Sequence, residues 1–204
     1  GRGVIVSPVH YPAGIKPLGT SAPSPKKKKI TKGVAPGNRG MSFEAAINET
    51  NAYYAEKGLC LITKRPTPIR VVKVDYSTGP KITSAFYESQ STTDYNGVYQ
   101  GHYIDFEAKE TRSKTSFPLA NVPLQQVEHL EKVIAQQGIA FFLIHFVVLN
   151  ETYLLPASEL TRFYRERPRA SLPLDFIREK GTLIQEGYRP RFDYLPALKA
   201  VFLK

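Results

Sequence analysis

Residues 92–110 read Thr92-Thr93-Asp94-Tyr95-Asn96-Gly97-Val98-Tyr99-Gln100-Gly101-His102-Tyr103-Ile104-Asp105-Phe106-Glu107-Ala108-Lys109-Glu110. The runs Tyr95–Val98 and His102–Glu110, joined near Gly101, have the make-up of two paired strands. Side chains alternate faces along a strand. Ile104, Phe106 and Ala108 therefore point into a core, and Asp105, Glu107 and Lys109 point the other way. Glu107 and Lys109 lie about 7 Å apart on that second face. Asp94 stands in or beside the neighbouring strand, and hairpin pairing brings it next to Glu107.

Two carboxylates placed together repel unless a proton or a divalent cation sits between them. Hard oxygen donors suit Mg²⁺, with Mn²⁺ as a substitute. A lysine at the edge of such a site can stabilise charge developing on a phosphate or position a water. The same spacing also fits a second reading, a Glu107–Lys109 ion pair on an exposed strand face. Gln126 falls on the side of a helix whose apolar stripe runs through Val127, Leu130, Val133 and Ile134. There it can satisfy a backbone group or turn its carbonyl oxygen toward a metal.

Outward from this segment, residues 42–57 lack Pro and Gly and place Phe43, Ile47 and Tyr54 on one face, so a helix ending at Gly58 is expected. Leu59–Thr63 reads as a short strand, interrupted by Pro66 and Pro68. Ile69–Tyr76 and Ile82–Glu88 read as a hairpin about the turn Ser77-Thr78-Gly79-Pro80. That hairpin, over residues 64–88, is expected to carry Lys64, Arg65, Arg70, Lys73 and Lys81. Val122–Gln137 reads as a helix, closed by Gly138 in a left-handed conformation. The apolar run Ala140–Leu149 suits a central strand covered on both faces. Tyr153–Leu155 is a short strand, and Ser158–Glu166 a helix with Ser158 as N-cap. Residues 168–196 read as irregular, and Asp193–Leu203 as a last helix. This order implies an α/β domain with a mixed central β-sheet flanked by helices.

The charge is unevenly placed. Of 28 Lys and Arg, eight fall in residues 1–40, which contain none of the 18 Asp and Glu. That stretch is also rich in Pro and Gly, so residues 1–37 are expected to form a flexible basic arm on a nearly neutral body. Such an arm suits a polyanion. Lys26, Lys27, Lys28 and Lys29 in the arm, and Arg39 just beyond it, are candidate phosphate contacts. The single cysteine, Cys60, excludes an internal disulfide and points to a reducing compartment. No apolar run approaches the ~18 residues of a membrane span. No apolar run follows Arg2 as a signal peptide requires.

Asp94 followed by Glu107-Ala108-Lys109 fits the D–(D/E)xK pattern of metal-dependent nucleases with a restriction-endonuclease-like core. More specifically, the chain resembles the RecU family of bacterial Holliday-junction resolvases. The similar segments are Asn38-Arg39-Gly40-Met41, Asn48-Glu49-Thr50-Asn51, Arg65-Pro66-Thr67-Pro68, Ser91 to Gly97, Tyr103 to Thr111, Thr115-Ser116-Phe117-Pro118-Leu119 and Gly187-Tyr188-Arg189-Pro190. They run in order along a nuclease domain spanning residues 38–204.

The resemblance implies a homodimer in which each subunit nicks one of two opposed strands of a four-way junction. It maps metal ligands onto Thr92, Asp94, Glu107 and Gln126, and a lysine that stabilises the transition state onto Lys109. It also implies that the hairpin, with Lys64, Arg70, Lys73 and Lys81, is a projecting stalk that enters the open centre of the junction. RecA recombinase and branch-migration machinery are implied partners, and the bacterial cytoplasm and nucleoid the implied location, with no membrane. Glu44 has two readings, a residue orienting a second metal or water and an exposed helix acid. Asp105 is read as support for the ligands or as a strand-end cap, and Cys60 and the histidines as structural or incidental. Two other functions share these features: a non-catalytic junction-binding protein that modulates RecA, and a restriction-type endonuclease acting on linear duplex.

Overall fold

β7 (Ile139–Phe146) is buried along its whole length. Its alternate side chains feed two separate cores. Phe141 and Leu143 enter one, while Ala140, Phe142 and Ile144 enter the other. A strand can be apolar on both faces only at the centre of a covered sheet, so the run behaves as its composition predicts as far as Phe146, after which residues 147–150 turn. The structure, a computed structural model, describes residues 40–204. The expected basic arm, with Lys26, Lys27, Lys28 and Lys29, and the adjoining Arg39 lie outside the described residues.

Six strands form the central sheet in the order β1 (Leu61–Lys64), β4 (Tyr95–Tyr99), β5 (His102–Thr111), β7, β8 (Glu151–Pro156) and β10 (Thr182–Ile184). β5 and β7 are parallel, and the other neighbours are antiparallel. α1 (Phe43–Glu56) and α5 (Leu195–Phe202) cover one face. On the other face lie α2 (Leu124–Ala135), α3 (Ala157–Glu166) and α4 (Leu174–Lys180). A mixed sheet with helices on both faces is the architecture that the element order implied. Ser42 caps α1, its side chain accepting the Ala45 N–H at 3.1 Å.

β2 (Ile69–Asp75) and β3 (Lys81–Tyr87) pair only with each other and stand apart from this sheet. Nearly every residue of the ribbon is exposed, including Val72, Tyr76, Phe86 and Tyr87. The hairpin therefore projects, with two corrections to its base. Lys64 belongs to β1, paired in register with Tyr95. Arg65 turns inward, away from the ribbon. Both precede Pro66 and Pro68, which break the chain between sheet and hairpin.

Three further expectations change. Residues 168–196 are not irregular: β9 (Ser171–Pro173) pairs with β6 (Ser116–Pro118), and α4 and β10 follow. Each element is short, and none is long enough to show a period in sequence. Ser158 lies inside α3, whose N-cap is Pro156 and has no side-chain cap bond. After α2, the left-handed residue is Gln137 (φ 62°), not Gly138. Gly138 is there for space, since a Cβ would stand 2.7 Å from Val133 Cγ1. Among the described residues no helix is long and apolar enough to cross a membrane.

Cys60 packs in the core beside α1, and burial pushes its thiol up to about 11. Both effects leave little accessible thiolate at neutral pH. Iodoacetamide at pH 7.5 should therefore label Cys60 at least ~100-fold more slowly in the folded protein than in urea, by mass spectrometry.

Candidate active site

Three aromatic rings set the register on which the site depends. Tyr95 pairs with Phe106, and Phe106 with Phe141. Their rings stack across β4, β5 and β7 at centroid distances of 4.8 and 4.7 Å. With that register, the residue before Tyr95 stands opposite the residue after Phe106. Asp94 is thus brought to Glu107, as hairpin pairing predicts. The Asp94 backbone N–H donates to Glu107 Oε2 at 2.8 Å. Lys109, next on the same face of β5, places its Nζ 3.2 Å from Glu107 Oε1.

The alternative of an exposed surface ion pair fails on burial, because Glu107 is only 3% exposed. Its carboxyl is pushed up to about 7, mainly by burial. The charge of Lys109 pulls it down, and that of Asp94 raises it further. A buried carboxylate with an incompletely offset charge, beside a second carboxylate, suits a cation.

Gln126 sits in the first turn of α2, and its carbonyl Oε1 is buried with no hydrogen-bond partner. Such an orphan is unusual in a folded interior. Its place over the sheet follows from the crossover. β5, α2 and β7 form a parallel strand–helix–strand unit, so α2 runs antiparallel to β5. One turn further along α2, His129 Nε2 stands 2.8 Å from Asp105 Oδ2. Stepping back three residues on the helix, about 4.5 Å, corresponds to stepping forward two on the strand, about 6.6 Å. That step carries Gln126 toward the Glu107 end of the strand. Thr92 is half-buried, two residues before Asp94, and its hydroxyl makes only a long 3.4 Å contact to the Thr93 carbonyl.

Among the described residues no three His, Cys, Asp or Glu side chains gather as a metal cluster. The available donors are two carboxylates, one amide carbonyl and one hydroxyl. This all-oxygen set fits a hard divalent cation, and the orphaned Gln126 carbonyl is the observation that favours it.

Other expected residues take different places. Glu44 is exposed and bonds Lys64 Nζ at 2.6 Å. That bond, with smaller contributions from Asp94 and Glu107, raises the Lys64 ammonium above its ordinary range, although burial opposes it. Lys64 therefore belongs to the rim of the acidic site. Arg70, Lys73 and Lys81 do lie on the exposed hairpin. Asp105 is not a strand-end cap. It is wholly buried in mid-β5, bonded by Arg65, Thr93, Tyr103 and His129. Burial alone would raise its carboxyl, but the bonds from Arg65, Thr93 and His129 outweigh it and hold the group below the usual carboxylate range. His129 was legible only as the residue three after Gln126 on the same helix face. The inward turn of Arg65 had no sequence signal.

The profile of the Recombination protein U (RecU) family matches residues 38–200. The chain belongs to the RecU family. A protein of Streptococcus equi subsp. zooepidemicus named Holliday junction resolvase RecU is 48% identical over 198 residues, covering 96% of this chain and 97% of its own. A Lactococcus lactis subsp. lactis protein of the same name is 52% identical over 202 residues, covering 92% and 95%. Among solved structures, Archaeoglobus fulgidus Hjc, described as a Holliday junction resolvase, has a TM-score of 0.39 at 11% identity, covering 66% of this chain and 93% of that one. All the site residues described above lie inside the segment matched by the RecU profile.

Replacing Gln126 with methionine removes a buried, unpaired acceptor at similar size. In EDTA, Gln126→Met should raise unfolding stability by about 1 kcal/mol, measured by urea denaturation, while weakening Mn²⁺ binding.

Proposed function

We propose that this RecU-family chain is a divalent-metal-dependent endonuclease that resolves four-way DNA junctions by paired nicks, in recombination and repair. The observation that carries the reading is the hydrogen-bonded meeting of Asp94 with Glu107, with Lys109 beside them. The names of the relatives supply the junction as substrate. Asp94 and Glu107, with Thr92 and Gln126, are the residues that would hold Mg²⁺, or Mn²⁺ in its place. When bound, the ion supplies Lewis-acid polarisation of the scissile phosphate and a lowered pKa for water.

The chain's own residues do the rest. The Asp94 N–H and the Lys109 ammonium hold both oxygens of Glu107 in one orientation, so one ligand is preorganised before DNA arrives. Lys109, 19% exposed at its side chain, can leave Glu107 in part to meet charge developing on the phosphate. Hydrolysis by water forms no covalent enzyme intermediate, so no serine of the chain is required as nucleophile.

Affinity comes from phosphate contacts by Arg70, Lys73 and Lys81, by the arm with Lys26, Lys27, Lys28 and Lys29, and by the adjoining Arg39. Lys64, held by Glu44 at the site's rim, contacts the strand being cut. The reading extends to a homodimer, because opposed nicks need two sites. It also extends to RecA and branch-migration machinery as partners, and to the bacterial cytoplasm and nucleoid as location.

Asp94→Asn and Glu107→Gln should each abolish cleavage of a labelled four-way junction in Mg²⁺ while binding persists, since phosphate contacts remain. Lys109→Ala should slow the single-turnover step by about 10²–10³-fold with little loss of binding. Undiminished cutting by the carboxylate variants would overturn the site. Wild-type binding without any cutting would favour a junction-binding protein that modulates RecA. Preferential, site-dependent cutting of linear duplex would favour a restriction-type enzyme.

Selectivity needs a rigid feature shaped to the branch point, because phosphates occur on every duplex. The projecting β2–β3 ribbon, with its basic and aromatic side chains, is that feature. Removing residues 73–81 should lower junction affinity at least ~10-fold more than linear-duplex affinity, by competition binding. Equal losses on both DNAs would reassign the hairpin to general phosphate contact.

A further inference from the structure

Asp105 is a fully buried carboxylate with three bonded neighbours besides its arginine, yet it holds no place in the proposed ligand set. Buried ion pairs contribute little net stability relative to apolar packing, and their best-attested use is to specify one arrangement. What this one specifies is visible from its partner. Arg65 Nη2 bonds Asp105 Oδ2 at 2.9 Å and the Tyr103 hydroxyl at 2.9 Å. Its Nη1 donates to the Thr93 carbonyl at 3.0 Å and to Thr93 Oγ1 at 2.8 Å. The Arg65 backbone N–H donates to the Asp94 carbonyl at 2.7 Å. One residue thus grips Thr93 and Asp94 by side chain and main chain together.

The loop is held from its other side as well. Gln90 Nε2 donates to the same Thr93 carbonyl at 3.1 Å. Arg65 leads into the hairpin and Gln90 leads out of it, and the Glu88 N–H closes the base on the Pro68 carbonyl at 3.0 Å. A cleft of about 230 Å³ between these legs is lined by Arg65, Pro66, Pro68, Glu88, Gln90 and Thr92, among others.

We infer that Arg65 is a positioning residue for the metal-bearing loop: anchored on Asp105, its guanidinium holds Thr93 so that Asp94 and Thr92 stand against Glu107. The inference rests on the proposed role of Asp94 as a metal ligand. A planar fork is needed, because Arg65 must reach Asp105, Tyr103 and Thr93 at once. A lysine keeps the charge opposite Asp105 but not the fork.

The experiment is Mn²⁺ binding to the full chain without DNA, read by the electron paramagnetic resonance signal of free Mn²⁺, with urea denaturation of each variant in EDTA. Arg65→Lys should recover most of the stability lost in Arg65→Ala, yet bind Mn²⁺ about tenfold or more weakly than wild type, as Arg65→Ala does. In junction cleavage, Arg65→Lys should need correspondingly more Mg²⁺ for half-maximal rate and reach a near wild-type rate at saturation. If lysine restores both stability and Mn²⁺ affinity, Arg65 is a structural ion-pair partner and the inference is overturned. Where Arg65→Ala fails to fold, Arg65→Lys alone decides. Asp94→Asn is the control for the underlying reading. Wild type and Asp94→Asn binding Mn²⁺ equally would overturn Asp94 as a ligand, a result separate from wild-type-like binding by Arg65→Lys beside a deficient Asp94→Asn.

Discussion

The stack of Tyr95, Phe106 and Phe141 across three strands is the constraint on which the site depends. Side chains on a strand alternate with a period of two, so a slip of one residue would send every side chain to the opposite face. Here the stacked rings lie in the core shared with α1 and α5, and the cost of exposing them opposes any slip. Asp94 and Glu107 meet because each is the immediate neighbour of a ring in that stack. Chemistry on one face of the sheet is thereby fixed by packing on the other.

The two buried acids of β5 are treated differently by their surroundings. Asp105 is supplied with a guanidinium, a hydroxyl, a phenol and an imidazole, and its charge is satisfied. Glu107, two residues along, has one amide and one ammonium, and its carboxyl stays near 7. A fold selected for stability alone would not leave that charge half satisfied, nor Gln126 Oε1 buried and unpaired. Incomplete satisfaction at Glu107 beside complete satisfaction at Asp105 separates the proposed ligand from the residue that holds the frame.

The hairpin presents the opposite economy. Its strands bury almost nothing, and a two-stranded ribbon is marginal by itself. Its base, however, is joined to the same loop that carries Thr92 and Asp94, through Arg65 on one leg and Gln90 on the other. The exposed basic ribbon and the loop that carries the proposed metal ligands are thus neighbours in the chain and in the hydrogen-bond network.

The long elements were legible in the sequence because their periods are complete: α1, the β4–β5 pair, the doubly buried β7 and α5 all form near their expected bounds. Asp94, Glu107 and Lys109 were legible too, since strand alternation and hairpin pairing are local rules that place them on one face. Short elements were not: β9, α4 and β10 have too few residues to show a period, and they form by pairing and packing against distant partners. Ser158 and Gly138 were misread because capping and left-handed turns compete with close contacts that only neighbours in space impose. Lys64 and Arg65 were assigned to the hairpin because the chain leads into it, whereas an acid on α1 and another in mid-β5 draw their charges back to the domain. Local periodicity in the sequence thus determined which residues share a face. Tertiary packing decided which buried charges find partners, because the free energy of a charge depends on groups brought near it from far along the chain.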